Sequence, residues 1–153
     1  MCYNAGDIRD VKTKNSIFDK KEIMSYLKGS EYPIPLDYAL PVFEWALLFR
    51  EGKLKSILSS SILQEHQQQV LQIDDDHLEV VEDFVSGSTV NSILIRKGDE
   101  IRLEDPDMDD VNEVSAWLAQ HKNNNEAVLT LYHLNDYDLK KHSKEIEAIF
   151  NSF

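Results

Sequence analysis

Apolar residues recur at two periods along this chain, and each change of period marks an element. In "SIFDKKEIMSYLKGS" the apolar positions Ile23, Met24 and Leu27 follow a helical spacing behind Asp19, whose carboxylate can accept the free amides of a helix start. Glu22 answers from the third position, Phe18 can staple onto Ile23 across the cap, and Gly29 supplies the stop. The next run, "YPIPLDYALPVFEWALLFREGKLKSILSS", scans in two ways. Pro41 suits a first helical turn, Gly52 suits a stop, and Ala, Leu, Glu and Arg favour helix, which would bury Phe43, Trp45 and Phe49 in the core. The same letters, "FEWALLF" and "LKSIL" around "REGK", also fit a hairpin. The helical reading is the first expectation over residues 41–62, and the hairpin is the alternative.

"SSILQEHQQQVLQI" predicts a further helix capped at Ser60 or Ser61, with Gln64 answering Ser61. In "HLEVVEDFVSG", Leu78, Val81 and Val85 predict a short amphipathic helix ending at Gly87. The two β-rich runs of "VNSILIRKGDEIRLED" flank Lys97-Gly98-Asp99 and predict a hairpin. "MDDVNEVSAWLAQH" places Val111, Val114, Trp117, Leu118 and His121 at helical spacing, "EAVLTLYHL" reads as a buried strand, and "DYDLKKHSKEIEAIFNSF" as a last helix. Its inner stripe would be Leu139, His142, Ile146, Ile149 and Phe153. The expected fold is therefore a single α+β domain over residues 1–153, with residues 1–15 as a flexible lead. N-terminal helices come first, then a small mixed sheet of a hairpin plus one more strand, flanked by helices.

Composition agrees with one domain: 153 residues, 42% hydrophobic, suffice to bury about 70% of the unfolded surface. The most apolar stretch, "ALPVFEWALLF", falls well short of the roughly 20 residues of a membrane span, and "MCYNAGDIRDVKTK" lacks a secretion signal's apolar core. A cytoplasmic protein is expected. One cysteine, Cys2, excludes an internal disulfide and any multi-cysteine zinc site.

Charge changes the picture more. The net charge is −12, and residues 1–73 hold 9 acidic and 9 basic residues. Residues 74–113 hold 14 acidic residues against Arg96, Lys97 and Arg102, so nearly all the imbalance lies in that stretch. Such a segment repels nucleic-acid phosphate and attracts basic surfaces.

Two aspartate clusters within it invite chemistry. "VLQIDDD" resembles the first strand and acid cluster of phosphoacceptor receiver domains, which would imply metal-assisted phosphoryl transfer. The family's acceptor aspartate has no counterpart, because "EVSAWLAQHKNNNEA" stands where it belongs. Asp74, Asp75 and Asp76 are then expected to form a turn and a helix N-terminus. Asp105, Asp107 and Asp109 alternate as hard-cation ligands do, yet an EF-hand loop needs glycine where Asp110 stands and a bidentate glutamate where Ala116 stands. No cofactor or metal is expected.

Met1-Cys2 resembles the start of class II glutamine amidotransferases and of the abasic-site-binding family, where removal of the methionine exposes a nucleophilic cysteine beside its own amine. "MCYN" carries no further motif of either. The histidines at 66, 77, 121, 133 and 142 lack zinc spacing. His77 beside Asp74 to Asp76, and His133 before Asp136 and Asp138, could form acid–base pairs, while His121 and His142 fall on inner stripes.

The leading expectation is a non-enzymatic acidic binding protein, in its most concrete form an immunity-type inhibitor docking on a basic nuclease toxin. Asp74, Asp75, Asp76, Asp105, Asp107, Asp109 and Asp110 would stand in for substrate phosphates, with neither nucleic acid nor membrane as direct partner. The alternatives are a nucleic-acid mimic or regulatory adaptor, and an enzyme using Cys2 or a carboxylate-bound divalent metal.

Overall fold

A computed structural model describes residues 6–28, 33–59, 61–87, 92–122, 125–132 and 136–153. The element order is α1 (Lys20–Lys28), β1 (Tyr38–Pro41), β2 (Trp45–Arg50), β3 (Lys53–Leu58), α2 (Ser61–Glu65), a 3-10 turn (Gln67–Gln69), β4 (Val70–Gln72), β5 (His77–Val80), β6 (Phe84–Ser86), β7 (Ile93–Ile95), β8 (Glu100–Glu104), α3 (Met108–His121), β9 (Leu129–Tyr132), α4 (Asp136–Lys141) and α5 (Ser143–Ser152). Five helices and nine strands are thus present among the described residues. The chain divides into two compact units, residues 1–6, 15–43 and 105–153 in the first and residues 7–14 and 44–104 in the second.

The first unit is mainly helical. Asp19 caps α1, its Oδ1 accepting the Glu22 amide at 2.9 Å, while Phe18 and Ile23 are both buried as a staple requires. Asn15 orders the approach: its Oδ1 accepts the amides of Ile17 and Phe18, and its Nδ2 donates to the Asp105 carbonyl. α3 buries Met108, Val111, Val114, Ser115 and Leu118 along one stripe, and α5 contributes Ile146 and Ile149. Contact between α3 and α5 is marked by the Ser115 hydroxyl, which donates to the Ile149 carbonyl at 3.5 Å. β1 and β9 form a parallel pair with Tyr38 opposite Leu129 and Pro41 opposite Tyr132.

The second unit is built on a five-stranded antiparallel sheet in the order β3-β2-β8-β5-β4, with β6 and β7 as a separate antiparallel pair. Alternation along β2 and β8 sends Ala46, Leu48 and Ile101 to one face. There they join Leu58, Ile62, Leu78, Val80, Phe84 and Ile95 in a buried cluster. The opposite face carries Leu47, Phe49, Arg102 and Glu104, all at most 2% exposed. Arg102 pairs with Glu104 at 2.7 Å, donates to the carbonyls of Asp10 (2.5 Å) and Ile8 (3.2 Å), and lies 5.0 Å from the centre of the Phe49 ring. The Trp45 indole donates to the other Glu104 oxygen at 2.8 Å. One guanidinium thereby binds residues 7–14 to the sheet.

These observations correct the expected architecture. The chain is α+β, but its principal sheet has five antiparallel strands instead of a hairpin plus one strand, and the helices do not precede it as a block. Residues 45–58 form the alternative hairpin. Its turn places Glu51 at φ +53° and Gly52 at φ +69°, the doubly left-handed geometry that suits the twist of a two-residue hairpin. Because β2 is buried on both faces, its continuous apolar run looks the same as a buried helix.

The helix expected from Ser61 stops at Glu65, and Val70–Gln72 pairs as a strand. Residues 77–80 and 84–86 are strands, not helix. Leu78 and Val80 are buried with Glu79 exposed between them, so the true period is two, and Val81 and Val85, read as a helical face, point to solvent. The Arg96–Asp99 turn forms, with Gly98 at φ +85°, yet its flanking strands do not pair with each other. β7 pairs with β6, and β8 enters the sheet between β2 and β5. The last helix is interrupted at His142, where φ is −119°. α3 and β9 lie where expected. Gly29 and Ser60 fall outside the described residues.

Arg102→Met should destabilise the second unit by about 3–5 kcal/mol in urea unfolding, since it leaves the Glu104 charge buried without its guanidinium. The double change Arg102→Met, Glu104→Leu should regain most of the loss. A single variant as stable as wild type would show that the pair is dispensable.

Candidate functional site

Seven aspartates were expected to face a partner, and the structure divides them between the units. Asp74, Asp75 and Asp76 belong to the second, and Asp105, Asp107, Asp109 and Asp110 to the first.

In the second unit the triplet is the connection between β4 and β5, which corrects the expected helix N-terminus. Its acids hold a tight hairpin end. The amides of Ile73 and Asp74 donate to the His77 carbonyl, and Asp74 Oδ1 accepts the amides of Asp76 (3.0 Å) and His77 (2.8 Å). The same oxygen lies 2.9 Å from His77 Nδ1, so the anticipated His77–Asp74 contact exists. Hydrogen bonding from the His77 ring first, then from the Asp76 amide, holds the Asp74 carboxyl below its ordinary range. The Asp76 carbonyl accepts the Leu103 amide at 2.7 Å and fixes the hairpin end to β8. Asp75 and Asp76 are exposed and form no ion pair among the described residues.

A feature that the sequence reading missed lies further along the same strand, β5. Glu79 on β5 is directly opposite Glu100 on β8, and both are exposed. Leu103 bonding to Asp76 and Val80 to Asp99 make the neighbouring positions the hydrogen-bonded ones, so Glu79 and Glu100 occupy a non-bonded pair, where side chains stand closest. Like charges so placed destabilise a sheet. The signal was present in "HLEV" and "EIRLE" as alternation, but the pairing needed the register.

The buried Arg102 and the half-buried Arg50 are committed internally. Arg102 is enclosed with Glu104, and Arg50 forks onto Asp99 with two contacts of 2.7 Å. Asp99 also accepts the Arg96 amide at 2.8 Å. Burial alone would push the Asp99 carboxyl up. The Arg50 hydrogen bonds, the Arg96 amide and the attraction of both guanidiniums outweigh it and leave the group below its usual value.

The four aspartates of the first unit have different work. Asp107 is the N-cap of α3, accepting the amides of Asp109 (2.9 Å) and Asp110 (3.3 Å). Asp105 faces Lys141 at 3.2 Å, and Asp110 pairs with Lys20, which also meets Glu113 at 3.0 Å. Of the alternating acids that suggested a calcium loop, Asp107 therefore serves a cap and Asp105 an ion pair, while Asp109 is exposed. Among the described residues no three His, Cys, Asp or Glu side chains form a group able to hold a metal ion.

His66 stacks on Phe84 with ring centres 4.3 Å apart. His121, expected on an inner stripe, is instead exposed and stacked on Trp117 at 4.1 Å, and His142 is half-buried at the start of α5. Cys2 and His133 lie outside the described residues, as do the side chains of Asp136 and Asp138. No helix among the described residues is long and apolar enough to cross a membrane. No protein-family model matches the chain, and neither a curated protein nor a solved structure matches it.

Acid should unfold the second unit through Asp99 in a defined direction. A carboxyl whose folded value is depressed contributes fully above its unfolded value of about 4, and the contribution is lost as pH falls through the folded value. Asp99→Asn should therefore be less stable than wild type at pH 7 and show a shallower loss of Tm below about pH 4. Parallel acid limbs for the two proteins would contradict this role.

Proposed function

We propose that the chain is a non-enzymatic acidic binding protein that docks on a basic partner, most concretely an immunity-type inhibitor covering the phosphate-binding surface of a basic nuclease toxin. The observation that carries the reading is the Glu79–Glu100 juxtaposition, on the same strand pair that the exposed Asp75 and Asp76 precede. Acids that assist folding cap a helix or form an ion pair, as Asp107 and Asp110 do. Glu79 and Glu100 oppose it, and a Lys- or Arg-bearing surface would relieve their repulsion on binding.

The contact is accordingly weighted towards the hairpin end and the β5–β8 row of the second unit. Asp74 acts as the bonded frame, with Asp75, Asp76, Glu79 and Glu100 as the charges presented. Of the first unit's aspartates, Asp109 is exposed and forms no ion pair among the described residues. Asp105, Asp107 and Asp110 contribute to the general negative field. A fixed turn presents its carboxylates with little ordering cost, which favours affinity.

Immobilised wild-type chain and the Asp75→Asn, Asp76→Asn, Glu79→Gln variant separate this reading from passive solubility. The partner retained by wild type should be basic, its binding at least tenfold weaker for the variant and weaker again between 50 and 300 mM salt, all on the order expected for steered charge contacts. For a nuclease partner, wild type should inhibit cleavage and the variant should fail to. Association indifferent to both the substitutions and salt would rule the proposal out.

A further inference from the structure

The first unit has a separate feature of opposite sign. Between α1 and α3 lies an open groove of about 700 Å³. Half-buried Met24, Ala116 and Trp117 are its apolar lining, Lys20, Lys21, Ser25 and Lys28 come to it from α1, and Glu113 and Gln120 come from α3. These positions follow from the helical period. Lys21, Met24 and Lys28 recur at intervals of three and four on one face, and Ala116 and Trp117 lie on the side of α3 away from its buried Val111, Val114 and Leu118.

The three lysines are not equivalent. Lys20 is answered from α3 by Asp110 and Glu113. Lys21 and Lys28 form no ion pair among the described residues, and the helical rise separates them by about 10 Å along α1. A chain of net charge −12 thus carries an apolar groove whose unanswered charge is positive. His121 stacks face to face on Trp117, so one face of the indole is already covered.

We propose that this groove binds a small amphipathic carboxylate, a medium-chain fatty acid being the simplest form. The apolar body rests on Met24, Ala116 and Trp117, and the carboxylate meets Lys21 or Lys28. The volume lies in the range of about 300–1,000 Å³ typical of small-molecule sites. Lysine suits such a ligand because its ammonium is a flexible point charge that accepts a carboxylate from many directions. The site shares no residue with the proposed protein-docking surface, so either can fail alone.

Titrating decanoate into the ¹⁵N-labelled full chain, followed by NMR, tests the assignment. Saturable shifts are expected along α1 and at the Trp117 indole, the latter identified with Trp117→Phe. Decanol should bind at least tenfold more weakly, and so should decanoate to the Lys21→Gln, Lys28→Gln variant, whose exposed positions leave the fold intact by circular dichroism. Non-saturating shifts, equal affinity for decanol, or binding unchanged in the double variant would each overturn the proposal. Shifts at these residues on changing protein concentration without decanoate would assign the groove to a second copy. A response to a glutamate-rich peptide but none to decanoate would assign it to an acidic polypeptide. Both results also overturn it.

Discussion

The second unit depends on an arginine that has no exposure to water. Arg102 stands on β8, the middle strand of the five, and its charge can be tolerated there only because Glu104, two backbone carbonyls and the Phe49 ring surround it. Strand alternation puts Arg102 and Glu104 on the same face, and the Trp45 indole donates to the carboxylate's other oxygen. Since the carbonyls come from Ile8 and Asp10, residues 7–14 become part of the unit through the same group. The buried pair thus sits on the central strand and ties residues 8 and 10 to it.

That commitment shapes the surface. Of three cations in residues 74–113, one is withdrawn into the interior, while the adjoining acids on β5 and β8 remain outside. Opposite charges could have stood at positions 79 and 100, as they do in many cross-strand pairs, but two glutamates do. The proposed docking function gives that arrangement a use. The first unit handles its acids differently, placing Asp107 at a cap and Asp110 on Lys20, and it exposes lysines beside an apolar groove.

The helices of the first unit were legible where the local chemistry was complete. Asp19 with Phe18 and Ile23 declared α1, and the acids ahead of Val111, Val114 and Leu118 declared α3. The sheet was not, for reasons that follow from packing. β2 is buried on both sides, which erases the alternation that distinguishes strand from helix. β5 kept its alternation, but Val81 and Val85 happened to extend a helical spacing across a strand end. The turn at Gly98 was visible, whereas the separate partners of β7 and β8 are long-range choices that no local pattern encodes. The aspartate triplet was found for its charge and misassigned to a helix start. Both a helix cap and a hairpin turn use an aspartate to accept nearby amides, and only the strands on either side distinguish them.

On the proposed docking reading, the exposed Glu79 and Glu100 oppose folding and are retained for a partner. Urea unfolding of the isolated protein tests it most directly, comparing wild type with Glu79→Gln at low and high salt. Stability should rise by about 0.2–1 kcal/mol in Glu79→Gln at low salt, with the difference shrinking as salt screens the repulsion. A variant less stable than wild type would show that Glu79 serves the fold and is not held there for a partner.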